Sequence, residues 1–188
     1  ILVYLDDIMA YGPTFGRALE RLSKVFQRLR TANLKLKPKK CFLMAQGVDY
    51  LGHHITREGV SPLHSKVSAI THWKVPEDLG ELRSFLGLAC YYRRFVDDYS
   101  GIASPLTELL RKDVKYEWNS VRQKAFDDLR TALITAPILA FPKPGCKFML
   151  DTDASDKALG GVLSQIQDGE ERVIAFYSKT LDRTQQRY

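Results

Sequence analysis

Ile1-Leu2-Val3-Tyr4-Leu5-Asp6-Asp7-Ile8-Met9-Ala10-Tyr11 sets two adjacent carboxylates between two apolar runs. Apolar runs on either side of a short polar break read as a β-hairpin, and its turn projects Asp6 and Asp7 at one rim of a sheet. Like charges so close repel unless something positive sits between them. A hard divalent cation such as Mg²⁺ meets that need, because it takes carboxylate oxygens and keeps room for phosphate oxygens. The same residues also fit a solvated turn whose aspartates tolerate left-handed backbone. On this stretch alone both readings stand.

Working outward, the charge of the chain is unevenly placed. The formal net charge is +6, and residues 1–47 carry nine Lys/Arg against three acids while the remainder balances. The whole basic excess therefore lies with the paired aspartates, the arrangement expected where metal-bound acids work beside a polyanion. Arg17 to Arg30 also suit a solvated helix face. In Lys35-Leu36-Lys37-Pro38-Lys39-Lys40, Pro38 breaks any helix and leaves cations clustered on a turn or short strand.

The 188 residues, 45% of them hydrophobic, suffice for one large domain or two small ones. No stretch approaches the roughly 18 unbroken apolar residues of a membrane span, and the opening residues lack the basic flank of a signal peptide. An opening inside an apparent strand suggests a piece of a longer chain. Cys41, Cys90 and Cys146 are odd in number and far apart, so reduced core thiols in a reducing compartment are expected. The four histidines, His53-His54 among them, have no partners at zinc spacing.

Ala18, Leu22, Val25, Phe26 and Leu29 recur at helical spacing, which predicts an amphipathic helix over 16–32 that packs on the hairpin and backs the carboxylates. Val48 to Ile55 reads as a short strand or hairpin arm. Ser61-Pro62 reads as a cap and first turn for a helix presenting Val67, Ile70 and Trp73. Asp78-Leu79-Gly80-Glu81 resembles a capping box, and an apolar stripe from Leu82 to Val96 predicts one long helix. Its Tyr91-Tyr92-Arg93-Arg94 suits base stacking and phosphate binding, or plain packing with solvated tips. Further helices are expected over 102–112 and after Asn119 or Ser120, either of which can cap the last. From Cys146 the period changes to two, placing Asp151 and Asp153 on one strand face, and Gln167-Asp168-Gly169-Glu170 marks a hairpin.

Tyr4-Leu5-Asp6-Asp7, Leu34 to Cys41, Tyr50-Leu51-Gly52-His53, Leu82 to Leu88, Tyr91 to Phe95 and Thr152-Asp153-Ala154-Ser155 occur in order. Together they resemble the Pol polyprotein of gypsy-type long-terminal-repeat retrotransposons, in its reverse transcriptase and adjoining RNase H regions. The resemblance implies an α+β multi-domain fragment. It comprises a partial palm over 1–60, a helical thumb over 61–118, a connection over 119–145, and the first strands of an RNase H-like α/β domain over 146–188.

By that likeness Asp6 and Asp7 are the polymerase's acidic pair, with Asp6 the more direct metal ligand, and Asp153 is the first metal-binding aspartate of RNase H. Asp151 and Asp156 are neighbours. Tyr4 sits beside the primer end, Tyr50, Leu51, Gly52 and His53 form the hairpin that grips the primer, and the helix from Asp78 lies along the duplex. Lys37, Lys39, Lys40, Arg93 and Arg94 are the candidate nucleic-acid contacts. The implied cofactor is Mg²⁺ in two-metal sites, each incomplete within these residues, since the family's remaining acids lie outside them. The implied partners are an RNA template, a DNA primer, an RNA–DNA hybrid and dNTPs, with no membrane. The expected setting is intracellular: the cytoplasm, in a virus-like particle, with a nuclear phase. RNA-directed DNA synthesis and RNase H cleavage by the parent are the expected functions, the isolated chain being inactive. The alternative is a non-catalytic nucleic-acid-binding remnant. Gly16-Arg17 and Gln185-Gln186 depart from the family pattern.

Overall fold

The computed structural model describes residues 1–182 and 184–187, and the chain packs as two units, residues 1–51 and 52–188. In the first unit β1 (Leu2–Tyr4) and β2 (Asp7–Met9) pair antiparallel, Leu2 with Met9, Val3 with Ile8 and Tyr4 with Asp7. The loop is thus Leu5-Asp6, and Asp7 belongs to the second strand, a correction to the expectation that both acids occupy the turn. Leu5 takes φ +52° at the position glycine usually fills when only the first central residue is left-handed. Helix α1 (Phe15–Thr31) starts at Thr14, whose hydroxyl accepts from Arg17 N, and Glu20 pairs with Arg17 at 2.9 Å and Lys24 at 2.8 Å. Both cations hold the Glu20 carboxyl below its usual range, Lys24 most strongly.

The expected stripe is the less exposed side of α1, yet it is not buried; Phe26 is exposed, and no residue of the first unit is buried. The helix expected over 16–32 is thus present in the same unit as the hairpin, but no buried core accompanies it. So short a segment has too little apolar surface of its own to close one. The lysine run folds as a single 3-10 turn, Pro38–Lys40, because proline's fixed φ suits a first helical position. β3 (Val48–Tyr50) ends this unit.

The second unit opens with β4 (His53–Ile55) and β5 (Val60–Pro62), antiparallel with His53 opposite Pro62. Ser61-Pro62 is strand and not a helix cap. Val60 exchanges both backbone bonds with Leu139, at 2.8 and 2.9 Å, which holds this stretch extended. A Cβ on Gly59 would meet the Leu139 carbonyl at 2.1 Å, so only glycine allows that approach. Helix α2 (His64–Thr71) follows, with Trp73 beyond its end but still packed on Phe85.

Helix α3 (Leu79–Tyr91) is capped by Asp78, which accepts from Glu81 N at 2.8 Å, while Glu81 reaches back to Glu77 N at 2.9 Å. It stops at Tyr91, short of the expected Val96, and Arg93–Phe95 continue as a 3-10 turn. Helix α4 (Tyr99–Glu108) starts and ends earlier than the periodicity predicts. Left-handed Asp98 (φ +44°) makes a new cap, its carboxylate accepting from Gly101 N at 3.1 Å. Helix α5 (Ser120–Ile134) is capped by Asn119, one of the two candidate caps, and Ser120 is its first residue. Leu82, Phe85 and Ala89 of α3, Ala103 and Leu106 of α4, and Phe126, Leu129 and Leu133 of α5 form one buried core, with the Phe85 and Phe126 rings 4.7 Å apart.

β6 (Phe148–Ala154), β7 (Ala158–Gln167) and β8 (Glu170–Thr180) make an antiparallel sheet in that order, turning at left-handed Asp168 and Gly169 as predicted. Lys143 clips the turn to the preceding loop at 2.5 Å from Asp168, lowering that carboxyl's pKa. Buried Gln165 accepts from Lys143 N and donates to the Lys143 and Cys146 carbonyls, fixing the approach to β6. Ala140 N donates to Val173 O at 2.8 Å, joining the sheet to the helical region. The cysteines are free as expected, but Cys90 is exposed and Cys41 and Cys146 are half-buried, so they are not core thiols.

Candidate carboxylate sites and nucleic-acid interface

The first candidate site is the rim of the β1–β2 hairpin. Asp6 and Asp7 are both exposed, and neither carboxylate has an ion-pair or hydrogen-bond partner among the described residues. Pairing of Tyr4 with Asp7 sets that tyrosine, half-exposed, beside the acid on the neighbouring strand. Lys35, Lys37, Lys39 and Lys40 are exposed cations of the same unit and make no ion pair among the described residues. The arrangement combines undercompensated carboxylates with an unneutralised basic segment.

The second group surrounds the turn at residues 50–53. The chain passes from β3 to β4 through two left-handed residues, Leu51 (φ +47°) and Gly52 (φ +72°). Within the second unit, the Gly52 carbonyl accepts from the Tyr92 hydroxyl at 2.6 Å and from Leu63 N at 3.1 Å. The His53 ring lies 5.4 to 5.7 Å from the rings of Tyr91, Tyr92 and Phe95. Tyr92 is fully buried, and burial pushes its phenol above the ordinary value. It is a structural tether and offers no face for base stacking, whereas Tyr91 is half-exposed.

Arg93 and Arg94 are turned onto β8. Arg93 is half-buried, donates to the Ser178 carbonyl and lies 5.4 Å from the Tyr99 ring centroid. Arg94 is exposed and donates to the Ile174 carbonyl at 3.4 Å. Ser178, itself buried, accepts from Ser100 N at 2.9 Å. The sequence carries no signal for Ser178, a small polar residue in an alternating strand. The Tyr92 tether is half visible there, since Tyr92 sits in the apolar stripe from Leu82 to Val96.

The third candidate is Asp153, exposed near the end of β6 opposite Gly160, with its carboxylate accepting from Ala154 N at 2.9 Å. Strand alternation puts Asp151 on the same face and Thr152 on the other. Among the described residues no group of three or more His, Cys, Asp or Glu is placed to hold a metal. Asp6 and Asp7 form a pair; Asp153 stands in the other unit.

Residues 1–55 match the model of the family described as reverse transcriptase (RNA-dependent DNA polymerase), and residues 118–188 match that of the RNase H-like domain found in reverse transcriptase. The chain is thus similar to reverse transcriptase over its first 55 residues and to the RNase H-like domain over its last 71. The Asp6-Asp7 hairpin and the lysine cluster lie within the residues matched to reverse transcriptase, Asp153 within those matched to the RNase H-like domain, and α2 to α4 between the two matches.

The relatives are transposon Pol polyproteins. The chain is 41% identical over 182 residues to the retrovirus-related Pol polyprotein from transposon 297 of Drosophila melanogaster, covering 96% of this chain and 17% of that one. It is 32% identical over 189 residues to the transposon Tf2-3 polyprotein of Schizosaccharomyces pombe, covering 100% of this chain and 14% of that one. It therefore spans less than a fifth of these relatives. Among solved structures, the foamy viral protease-reverse transcriptase in complex with double-stranded DNA matches with a TM-score of 0.79 and 28% identity over 94% of this chain and 31% of that one. The same kind of protein in complex with an RNA/DNA hybrid matches with a TM-score of 0.78 and 28% identity over 94% of this chain and 24% of that one.

Proposed function

We propose that this chain is the stretch of a Pol polyprotein in which a reverse transcriptase palm passes through thumb and connection into RNase H, with boundaries near residues 60, 118 and 146. The polyprotein carries out RNA-directed DNA synthesis and cleaves the RNA of RNA–DNA hybrids. The observation that carries the reading is the exposed Asp6-Asp7 pair at a hairpin rim, beside Tyr4 and in the segment holding the entire basic excess. Exposed carboxylates without internal partners suit a bound cation better than they suit a structural role.

The donor set fits Mg²⁺ in part: Asp6 and Asp7 would supply hard oxygen ligands in the polymerase site, and Asp153 would do so in the RNase H site. When bound, paired metals about 4 Å apart stabilise the attacking and leaving oxygens of phosphoryl transfer. The chain's own contribution is position. Tyr4 is set beside the acids by strand pairing, Gly52 is held by Tyr92, and the Lys35 to Lys40 cluster supplies charge for template, primer and hybrid, with a dNTP as the second substrate.

The test uses a longer polyprotein that includes this segment. Asp6→Asn is expected to abolish Mg²⁺-dependent synthesis on a primed RNA template while leaving hybrid cleavage largely intact, and Asp153→Asn to do the reverse. Equal loss of both activities from either change would point to misfolding and sink the assignment. A non-catalytic nucleic-acid-binding role is the second reading, favoured by the lack of a three-ligand group among the described residues. Salt-dependent hybrid binding with no metal-dependent chemistry in the longer polyprotein would select it.

A further inference from the structure

Arg83, Gly87 and Cys90 recur at intervals of four and three, which sets them on one face of α3. That face borders a cleft of about 420 Å³ shared with α4 and the C-terminal end of β8, inside the second unit. Cys90 is the exposed member of the three free cysteines. A Cβ built on Gly87 meets nothing within 4 Å, so the space along the helix beside the thiol is open. The thiol is also close enough to Tyr99 to add to the rise that burial, the larger cause, imposes on that phenol.

The surroundings select the partner that such a thiol can take. The cleft is lined by Arg83, Arg93 and Lys179 and by no acid. Arg83 and Lys179 are exposed without an ion pair among the described residues, and Arg93 is held at the wall by the Ser178 carbonyl and the Tyr99 ring. Leu86, Ala103 and Leu110 supply apolar walls. An independent feature is Ser100, 8% exposed: its N–H is used by Ser178, while its hydroxyl has no partner among the described residues and borders the cleft. A buried hydroxyl without a partner is costly, and an incoming acceptor relieves it. The cations attract a small molecule carrying carboxylates, the hydroxyl offers it a hydrogen bond, and the thiol can hold it covalently.

We propose that Cys90 is a modification site for a carboxylate-bearing thiol peptide, of which glutathione is the probe, retained in this cleft as a mixed disulfide. The Cys90 thiolate attacks one sulfur of the peptide's disulfide. The Cys90–peptide S–S bond forms as the old S–S bond breaks, and the displaced sulfur leaves with the electron pair and takes up the proton that Cys90 has lost. Cys90 is oxidised, one half of the disulfide is reduced to free thiol, and excess free thiol reverses the step. The inference does not rest on the nucleic-acid reading above.

The test compares two disulfides on the full chain, anionic oxidised glutathione and neutral 2-hydroxyethyl disulfide, with the adducts located by peptide mass mapping. At about 50 mM salt Cys90 is expected to take the anionic reagent roughly tenfold faster than the neutral one, and the preference to shrink at about 1 M salt. Arg83→Gln/Lys179→Gln should abolish the preference and leave the rate with the neutral reagent as in the parent, which also shows that the variant is folded. In a fixed mixture of reduced and oxidised glutathione, Ser100→Ala should lower the equilibrium constant of the Cys90 adduct about fivefold, the worth of one hydrogen bond, with those of Cys41 and Cys146 unchanged. Equal rates with the two reagents at Cys90 in the parent would mean ordinary exposure and overturn the proposal. So would a preference that survives the double variant, or an unaltered constant in Ser100→Ala. Adducts on Cys41, beside Lys39 and Lys40, that outlast those on Cys90 as free thiol is raised would assign retention to local charge alone and equally overturn it.

Discussion

Tyr92→Phe isolates the tether that holds Gly52 at the start of the second unit. The mutation removes a hydroxyl that donates to the Gly52 carbonyl at 2.6 Å from a fully buried ring, and leaves the ring packing against His53 and Phe95. Because Leu63 N still donates to the same carbonyl, no acceptor is orphaned. The loss is then the net worth of one hydrogen bond, about 1 kcal/mol within a range of roughly 0.5–1.5. Gly52→Ala attacks the same contact from the other side. At φ +72° a Cβ costs about 1–2 kcal/mol in backbone strain. That Cβ would also sit 3.3 Å from Tyr91 and 3.4 Å from the Tyr92 hydroxyl. Both tryptophans, Trp73 and Trp118, lie in the second unit, so their fluorescence during urea unfolding of the full chain reads that unit. With a urea slope of about 2 kcal/mol/M, the Tyr92→Phe midpoint should fall by about 0.5 M. The double variant should be non-additive, because the two residues share the contact. A Tyr92→Phe midpoint indistinguishable from the parent, or strict additivity with Gly52→Ala, would refute the tether.

Ser178→Ala takes away the acceptor of Ser100 N in the first turn of α4 and leaves a buried N–H without its partner, so a loss of about 1–2 kcal/mol is expected in the same unfolding assay; a neutral result would mean that α4 does not depend on β8. Tyr92, Tyr99 and Tyr116 all have phenol pKa values raised above 10, chiefly by burial. The native state therefore keeps protons that the unfolded chain has released, so their contribution is intact below pH 10 and is lost as pH climbs through the raised values. The urea midpoint should hold steady to about pH 9.5 and then fall, with Tyr99→Phe flattening the decline; a midpoint level to pH 12 would contradict this. Replacing Lys39 and Lys40 together by Gln should weaken binding of RNA–DNA hybrids of any sequence and make the salt slope shallower by about 2 at most, and an unchanged slope would remove these lysines from the interface.

The parts of the fold legible in the sequence are those where one local signal suffices. Asn119 and Asp78 cap helices because a short polar side chain before an apolar stripe serves the first free N–H groups wherever the helix packs. Asp168-Gly169 turns the β7–β8 hairpin because both residues accept left-handed backbone. The errors arise where a distant contact overrules a local preference. Ser61-Pro62 reads as a helix start, but Leu139 pairs with Val60 and makes the stretch a strand. The stripe from Leu82 to Val96 reads as one helix, but Tyr92 must reach Gly52, and the backbone tightens to 3-10 just beyond it. At the site, Asp6, Asp7 and Asp153 are visible as charges in apolar surroundings. Ser178 and Ser100 are not, since a buried serine's value lies wholly in its partner.

That contrast bears on how the two halves of the chemistry relate. The first unit buries no residue and keeps its carboxylates and lysines open, so its residues are legible as ligands and little else. The second is bound into one body. Ser100 and Arg93 hold β8, Ala140 extends the tie, and Val60 pairs with Leu139, so the helices and the sheet bearing Asp153 cannot shift independently without breaking these hydrogen bonds. A hybrid lying along α3 would thus meet Asp153 at a distance set by the β8 contacts and not by a flexible joint. On this argument Ser178→Ala should broaden the distribution of cut positions in a longer polyprotein's hybrid cleavage while leaving the need for Asp153 unchanged. A cleavage ladder identical to the parent's, from a variant whose unfolding shows that the Ser100 hydrogen bond is gone, would mean that the spacing is fixed elsewhere.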